Sequence, residues 1–346
     1  MLFRHKKPAN TTFASMSEQA RLVDKFGRVH DYLRISLVDK CNLRCTYCMP
    51  EDIRFLPQSK LMTAKEIGVM AKIFTGLGVN KIRLTGGEPL LRADFREVLQ
   101  ELTPLGAQLG ITTNGVKLLE YLDDLRSAGI QTLNISLDSL RPERVLGIAR
   151  RDVHGVVWQG IERALEAGFR VKLNMVVMQD VNSDEIPDFI SLTSREGIHV
   201  RLIEFMPFEG NRWHQHKVVA WSDMLRAVQD AGLTFRKMED LPHETTKSYQ
   251  VDGFPGTFSV ISTVSSPFCG GCNRIRLTAE GKIRNCLFAK SELDLLAALR
   301  RGEDITPLIL SALALKEKAL GGLPGFSEDT IREGKLSPRA MVKIGG

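Results

Sequence analysis

The chain lacks three things: a cysteine outside two tight groups, an apolar run near the roughly 20 residues a membrane-spanning helix needs, and a block of consecutive lysines and arginines. The first lack argues against a disulfide framework with leftover pairs. The second excludes a spanning helix, and the third argues against a basic nucleic-acid-binding arm. Met1 to Met16 is basic but has no 7–15-residue apolar core, which argues against a secretory signal. A flexible tail over residues 1–21 is the expectation there, in a cytoplasmic protein whose cysteines stay reduced. Reduced thiols point to metal or redox chemistry. There is no internal repeat beyond a βα unit and no low-complexity segment.

What is present is a chain of 346 residues, 43% hydrophobic, enough for about two domains or one barrel plus an extension. Net charge is +6, with the acids well mixed among the bases. Such an excess suits a small polyanion such as a nucleoside triphosphate, or ordinary surface charge.

All six cysteines fall into two triads. Cys41, Cys45 and Cys48 form C-x3-C-x2-C, and Cys269, Cys272 and Cys286 form C-x2-C-x13-C. Structural zinc wants four closed ligands. A four-iron cluster held by three cysteines leaves one iron open to a ligand. Two such sites suggest two reagents, each on its own open iron. Zinc at the second triad would need a fourth ligand, and the nearest histidine in sequence is His243.

Strands and helices alternate from residue 32 to about 206. Tyr32–Leu37, Lys81–Thr85, Leu109–Thr113, Thr132–Leu137, Val171–Val177 and Val200–Phe205 read as strands. Thr63 with Glu66 reads as a capping box opening a helix that runs to about Gly78. Further helices are expected near 93–102, 116–128, 156–167 and 185–195. Short connections imply parallel strands, and the chemistry-bearing motifs follow strand C-terminal ends, the active rim of such barrels. The predicted fold is α/β: a partial, open TIM-type βα barrel of about six parallel strands over 22–207. A C-terminal α+β extension over 208–325 carries the second triad, and a tail, 326–346, ends in Gly-Gly. The strands of the extension read as short and antiparallel.

Cys41-Asn-Leu-Arg-Cys45-Thr-Tyr-Cys48, followed one βα unit later by Thr85-Gly-Gly-Glu-Pro89, resembles the radical S-adenosylmethionine (SAM) enzymes. The order of Phe26-Gly-Arg28, Lys81-Ile-Arg-Leu-Thr-Gly-Gly-Glu88, Thr112-Thr-Asn-Gly115, Asn134-Ile-Ser-Leu-Asp-Ser139, Phe268-Cys-Gly-Gly-Cys-Asn-Arg-Ile-Arg276 and the terminal Gly345-Gly346 is similar to the GTP 3′,8-cyclase family of molybdenum cofactor biosynthesis. The likeness runs from about residue 22 to the end. Leu202, where the family usually has phenylalanine, and Phe208-Glu209-Gly210 depart from its pattern.

The resemblance implies two [4Fe–4S] clusters, the first holding SAM and the second holding the guanine of GTP. It implies SAM contacts at Tyr47, Gly86, Gly87, Glu88, Ser136 and Met206. It implies GTP contacts at Arg34, Arg83, Thr112, Lys172, Arg274 and Arg276, with Arg274, Arg276, Gly345 and Gly346 acting in catalysis. From the residues themselves, Arg34, Arg83 and Lys172 interrupt apolar strands, and buried cations need anions. Arg274 and Arg276 alternate on one strand and share a face. The implied partners are a reductant protein such as flavodoxin or ferredoxin and a downstream cyclic pyranopterin monophosphate synthase, with no nucleic acid and no membrane, the chain being a monomer or homodimer. Two rivals remain: another radical SAM enzyme with an auxiliary cluster, such as a peptide-modifying maturase, and a basic iron–sulfur protein that binds nucleic acid or senses redox state.

Overall fold

The computed structural model describes residues 21–240, 243–332 and 339–345. Residues 1–20 and Gly346 lie outside the described residues. Six parallel strands follow in order: β1 (Tyr32–Ser36), β2 (Lys81–Thr85), β3 (Gln108–Thr113), β4 (Thr132–Ser136), β5 (Arg170–Val177) and β6 (Ile198–Glu204). The later strands are β7 (Phe235–Lys237), β8 (Lys247–Val251), β9 (Thr257–Ile261), β10 (Arg274–Leu277), β11 (Lys282–Arg284) and β12 (Leu293–Asp294). All belong to one sheet in the order β12-β11-β10-β1-β2-β3-β4-β5-β6-β9-β8-β7.

This corrects the reading of the extension. β10 joins β1 in parallel and β9 joins β6 in parallel, so eight parallel strands stand side by side. Among the named strands, antiparallel pairing is confined to β7–β8–β9 and β10–β11–β12. Short alternating segments show that strands form. They do not show which edge each strand joins, because that choice is made by contacts far away in sequence.

The alternation within the strands explains the two faces. Leu33, Ile35, Ile82, Leu84, Ile111, Leu133, Val171 and Leu173 join Ile67, Met70 and Phe74 of the first helix in one buried core. The residues between them are polar and point to the barrel interior. Register then lines them into rows. Arg276, Arg34 and Arg83 are successive neighbours across β10, β1 and β2, and Gly110 on β3 follows. A Cβ on Gly110 would sit 3.2 Å from Arg83 Nη2, so glycine there makes room for the guanidinium. A second row is Thr112, Asn134, Lys172, His199 and Thr257, and a third is Ser136, Asn174, Arg201 and Ser259.

The first helix, Ala64–Gly76, starts as the sequence predicts: Glu66 N donates to Thr63 Oγ1 at 3.2 Å and Thr63 N to Glu66 Oε2 at 2.7 Å. The helix expected near 156–167 is observed at His154–Glu166, but others are shorter than expected. The 116–128 segment is a 3-10 turn, Leu118–Glu120, and a short helix, Leu122–Ser127. A helix at Pro142–Ala149 went unpredicted. No helix among the described residues is long and apolar enough to cross a membrane.

Candidate active site

The first triad lies on the loop after β1, at the C-terminal rim. Cys41, Cys45 and Cys48 line a cavity with Tyr47, Gly86, Gly87, Thr112 and Ser136. The two glycines do more than expose backbone to a ligand. A Cβ on Gly87 would lie 2.3 Å from Lys40 O, and one on Gly86 would lie 2.5 Å from Val38 O. Gly87 N donates to Val38 O at 2.6 Å and Glu88 N to Lys40 O at 2.8 Å. The strand end is thereby laced to the chain leading into Cys41. Gly87→Ala should therefore cost about 1–3 kcal/mol of apoprotein stability by overpacking. Denaturant unfolding checks this, and iron uptake at the first triad should fall with it.

Glu88 is buried, and its carboxylate accepts from Leu90 N at 3.1 Å, Thr113 Oγ1 at 2.7 Å and Asn114 N at 2.7 Å. It braces the ends of β2 and β3 and does not appear on the cavity wall. Burial pushes its carboxyl up to about 7. Tyr47 OH donates to Asp138 Oδ2 at 2.9 Å, and Asp138 Oδ1 accepts from Val176 N at 2.9 Å. Loop residue Asn211 donates to the carbonyls of Tyr47 and Met206 at 3.2 and 2.8 Å, fastening the 208–219 segment over this rim.

The second triad faces the same interior from the other side. Cys269, Cys272 and Cys286 line a central cavity with Arg34, Arg201, Arg274, Arg276, Met206 and Phe288. Tyr47, Thr112, Ser136 and Met341 line both cavities. The parallel docking of β10 on β1 brings the triads together. It carries Arg274 and Arg276 onto the barrel wall beside Arg34.

Among the described residues, no aspartate or glutamate lines the central cavity, although four arginines do. Burial, then neighbouring charge, sets the guanidinium behaviour. Arg34 and Arg201 are pushed down to about 10, and Arg276 is pushed well down. Arg201 Nε and Asn134 Oδ1 are buried without a hydrogen-bond partner. Such a wall fits a polyanion carrying a base.

Arg83 and Lys172 are not on this wall. They line a third cavity at the N-terminal ends of the strands, with Lys81, Arg170 and His199. Arg83 Nε donates to Tyr32 OH at 2.5 Å and Nη1 to Ile111 O at 2.9 Å. Burial pushes the Tyr32 phenol up, but Arg83, Arg34 and Lys81 outweigh it and draw it down to about 7. Burial first, then Arg201, Arg83 and Lys81, bring Lys172 down to about 8.

The C-terminal tail enters the barrel. Val342 and Ile344 are buried, and Gly345 O accepts from Arg276 Nη1 at 2.5 Å. Gly345 has φ +81°, and a Cβ on it would lie 2.6 Å from Thr85 Oγ1 and 3.0 Å from Ser36 Cβ. Gly346 lies outside the described residues.

Several site residues were missed from sequence. Asn134, Asn174 and Arg201 follow from extending the strand alternation that exposed Lys172. Asp138 lies in the quoted run after β4. Asn114, which donates to Asn42 Oδ1 at 2.8 Å and Cys41 Sγ at 3.6 Å, lies in the Thr-Asn-Gly turn. Lys316 had no signal, being one of two lysines in Lys316-Glu317-Lys318 after an apolar helix.

All six cysteines are free thiols. Burial pushes the Cys41 thiol up to about 11 and pushes Cys45 and Cys48 up further. Three cysteines in each triad are a donor set that suits a multi-iron cluster, one cysteine to each of three irons.

Two family models match the chain: the Radical SAM superfamily over residues 35–193 and Molybdenum Cofactor Synthesis C over residues 198–321. GTP 3′,8-cyclase, mitochondrial, of Arabidopsis thaliana is 43% identical, covering 94% of this chain and 83% of that protein. GTP 3′,8-cyclase of Listeria monocytogenes is 38% identical over 94% of this chain and 99% of its own length. Molybdenum cofactor biosynthesis protein 1 of Homo sapiens is 42% identical over 94% of this chain, which spans 51% of that longer protein. Among solved structures, Streptococcus suis SuiB bound to S-adenosylmethionine superimposes with a TM-score of 0.58 at 18% identity, over 92% of this chain and 79% of that one. At that identity the likeness shows the fold alone. With 38% and 43% identity to two named cyclases over nearly its whole length, the chain belongs to the GTP 3′,8-cyclase family within the radical SAM superfamily.

Proposed function

We propose that the chain cyclises GTP to (8S)-3′,8-cyclo-7,8-dihydroguanosine 5′-triphosphate, the first step of molybdenum cofactor biosynthesis. Its first triad would hold a [4Fe–4S] cluster with SAM and its second triad another such cluster. The observation that carries the reading is the central cavity, walled by four arginines with no carboxylate among the described residues and joined by Tyr47, Thr112, Ser136 and Met341 to the first-triad cavity. When bound, the clusters and SAM supply the one-electron chemistry and an open iron for the guanine.

The chain's own residues do the rest. Arg34, Arg201, Arg274 and Arg276 would neutralise and orient the nucleotide, with Arg83 and Lys172 at the far end of the same barrel. Tyr47, Gly86, Gly87, Ser136 and Met206 would shape the SAM site, with Glu88 acting through the loop it braces. Phe208, Phe288, Leu320, Leu323 and Ile344 form an apolar cluster at the second-triad side that helps exclude water. In this reading residues 22–207 carry SAM and 208–325 carry the guanine site, while a flavodoxin or ferredoxin supplies electrons and a cyclic pyranopterin monophosphate synthase takes the product. A peptide substrate, as in a maturase, is less well matched to a wall of cations.

The test is anaerobic reconstitution of the full chain, then SAM, reductant and GTP. About eight irons per chain are expected for two clusters, with a new cyclised nucleotide formed alongside methionine and 5′-deoxyadenosine. SAM cleavage with GTP unchanged would overturn the reading.

The position of Lys172 adds a pH signature. Its ammonium, held down to about 8 by burial and neighbouring cations, would regain its proton when a triphosphate binds. Below that pH the charge is already present. Above it, binding must take up a proton. GTP affinity measured without turnover should fall as pH rises above about 8, by at most roughly tenfold per pH unit. Lys172→Arg should flatten that decline.

A further inference from the structure

The second triad is gathered from two separate stretches of chain, 269–272 and 286, onto the loop 316–320. Lys316 is buried, and its ammonium donates to Arg274 O at 3.1 Å, to Asn285 O and to Cys272 Sγ at 3.9 Å. Those contacts use its three N–H groups. One carbonyl lies two residues after Cys272 and the other immediately precedes Cys286. Leu320 N donates to Cys269 Sγ at 3.4 Å. The loop therefore touches or flanks all three cysteines.

A buried cation also holds the loop from behind. Arg28 Nη1 donates to Cys269 O at 2.9 Å and Lys318 O at 2.8 Å, and Nη2 donates to Glu317 O at 2.8 Å. Its Nε donates to Asp24 Oδ2 at 2.6 Å. Arg28 has a carboxylate partner; the acceptors of Lys316 are two carbonyls and a cysteine sulfur. A buried ammonium is costly unless a negative group faces it. The group placed to be negative is Cys272, whose sulfur faces the ammonium and would be a thiolate when it ligates a cluster.

We propose that Lys316 is a positioning residue for the second cluster: it ties the Cys272 and Cys286 segments together and sets a fixed positive charge against the thiolates, raising the reduction potential of the cluster they hold. Lys316 does not line the central cavity, so it acts on the cluster and not on the nucleotide directly. The inference rests on the proposed function only in taking the second triad to hold a cluster.

The test uses the full chain carrying Cys45→Ala, which silences the first site, with Lys316→Met and Lys316→Arg compared. Iron and sulfide content, chelator resistance and the EPR-monitored midpoint potential are measured. In Lys316→Met, iron retention at the second triad should fall roughly 10–100-fold, as for lost outer contacts to metal ligands. The midpoint of the remaining cluster should become more negative. Lys316→Arg, which keeps the charge, should recover the potential even if retention recovers only in part. A second cluster in Lys316→Met with unchanged potential and retention overturns the proposal, as does a Lys316→Arg variant whose potential drops like that of Lys316→Met. If Lys316→Met holds too little cluster to titrate, Lys316→Gln provides the uncharged comparison. If the parent protein with Lys316 intact holds zinc or no cluster at the second triad, the functional reading itself fails, which is a separate result.

Discussion

Cys45→Ala should abolish SAM cleavage, whereas Cys272→Ala should keep measurable SAM cleavage and form no cyclised nucleotide. The two sites sit on different walls of one interior. Cys45 lines the cavity with Gly86, Gly87 and Ser136 at the β1–β4 rim, and Cys272 lines the central cavity beside Arg274 and Arg276. Losing one thiolate of three should empty its own site. It should leave the other intact, because each triad is held by its own lacing: Gly87 N to Val38 O for the first and the 316–320 loop for the second. The measurements are iron content, 5′-deoxyadenosine formation and nucleotide product for each variant, run anaerobically. Full cyclisation by Cys272→Ala would remove the second triad from the reaction. Loss of SAM cleavage in both variants would mean that the sites are not independent.

Gly345→Val should lower GTP cyclisation by about 10²-fold, the scale expected when a group near the chemistry is misplaced by about 1 Å. Cluster content should change little, while the unfolding midpoint falls as the buried Val342 and Ile344 are exposed. The tail reaches the rim where β1 and β2 end, and its Gly345 carbonyl accepts from Arg276 Nη1 at 2.5 Å. That bond fixes a guanidinium on the wall of the central cavity. A side chain at residue 345 would collide with Thr85 Oγ1 and Ser36, and its φ of +81° is one that β-branched residues rarely adopt. The tail would then withdraw, releasing Arg276 and moving Met341, which lines both cavities. Deleting Gly345 and Gly346 should have the same effect, and a short added peptide ending in Gly-Gly should restore part of the rate. Full turnover by the truncated chain would reduce the tail to a terminus without a role.

Both expectations started from sequence signals that differ in kind. The cysteine triads are local patterns, readable because ligand spacing within one loop is set by the chain itself. Arg34, Arg83 and Lys172 were legible as cations inside apolar strands. Extending the same alternation would have found Arg201 and Asn134. Lys316 could not be found that way, because its meaning lies in carbonyls 42 and 31 residues away. The role of Gly86 and Gly87 was legible only in part. Bare backbone was expected, but the group that approaches most closely is the chain at Val38–Lys40.

The sequence by itself determined that two three-cysteine groups exist, that a βα series with polar-inward strands surrounds them, and that glycines stand at 345 and 346. Each of these is a short-range property of spacing, alternation or composition. Only the tertiary structure decided that β10 and β9 close onto opposite edges of the parallel sheet, that the two triads line adjoining cavities, and that Arg83 and Lys172 line a third cavity at the N-terminal ends of the strands. Strand identity is fixed by neighbours along the chain, but strand partnership is fixed by which edge can bury the most apolar surface and satisfy its backbone. That competition is settled between segments more than 200 residues apart, as β1 and β10 are. Local pattern carries no record of it.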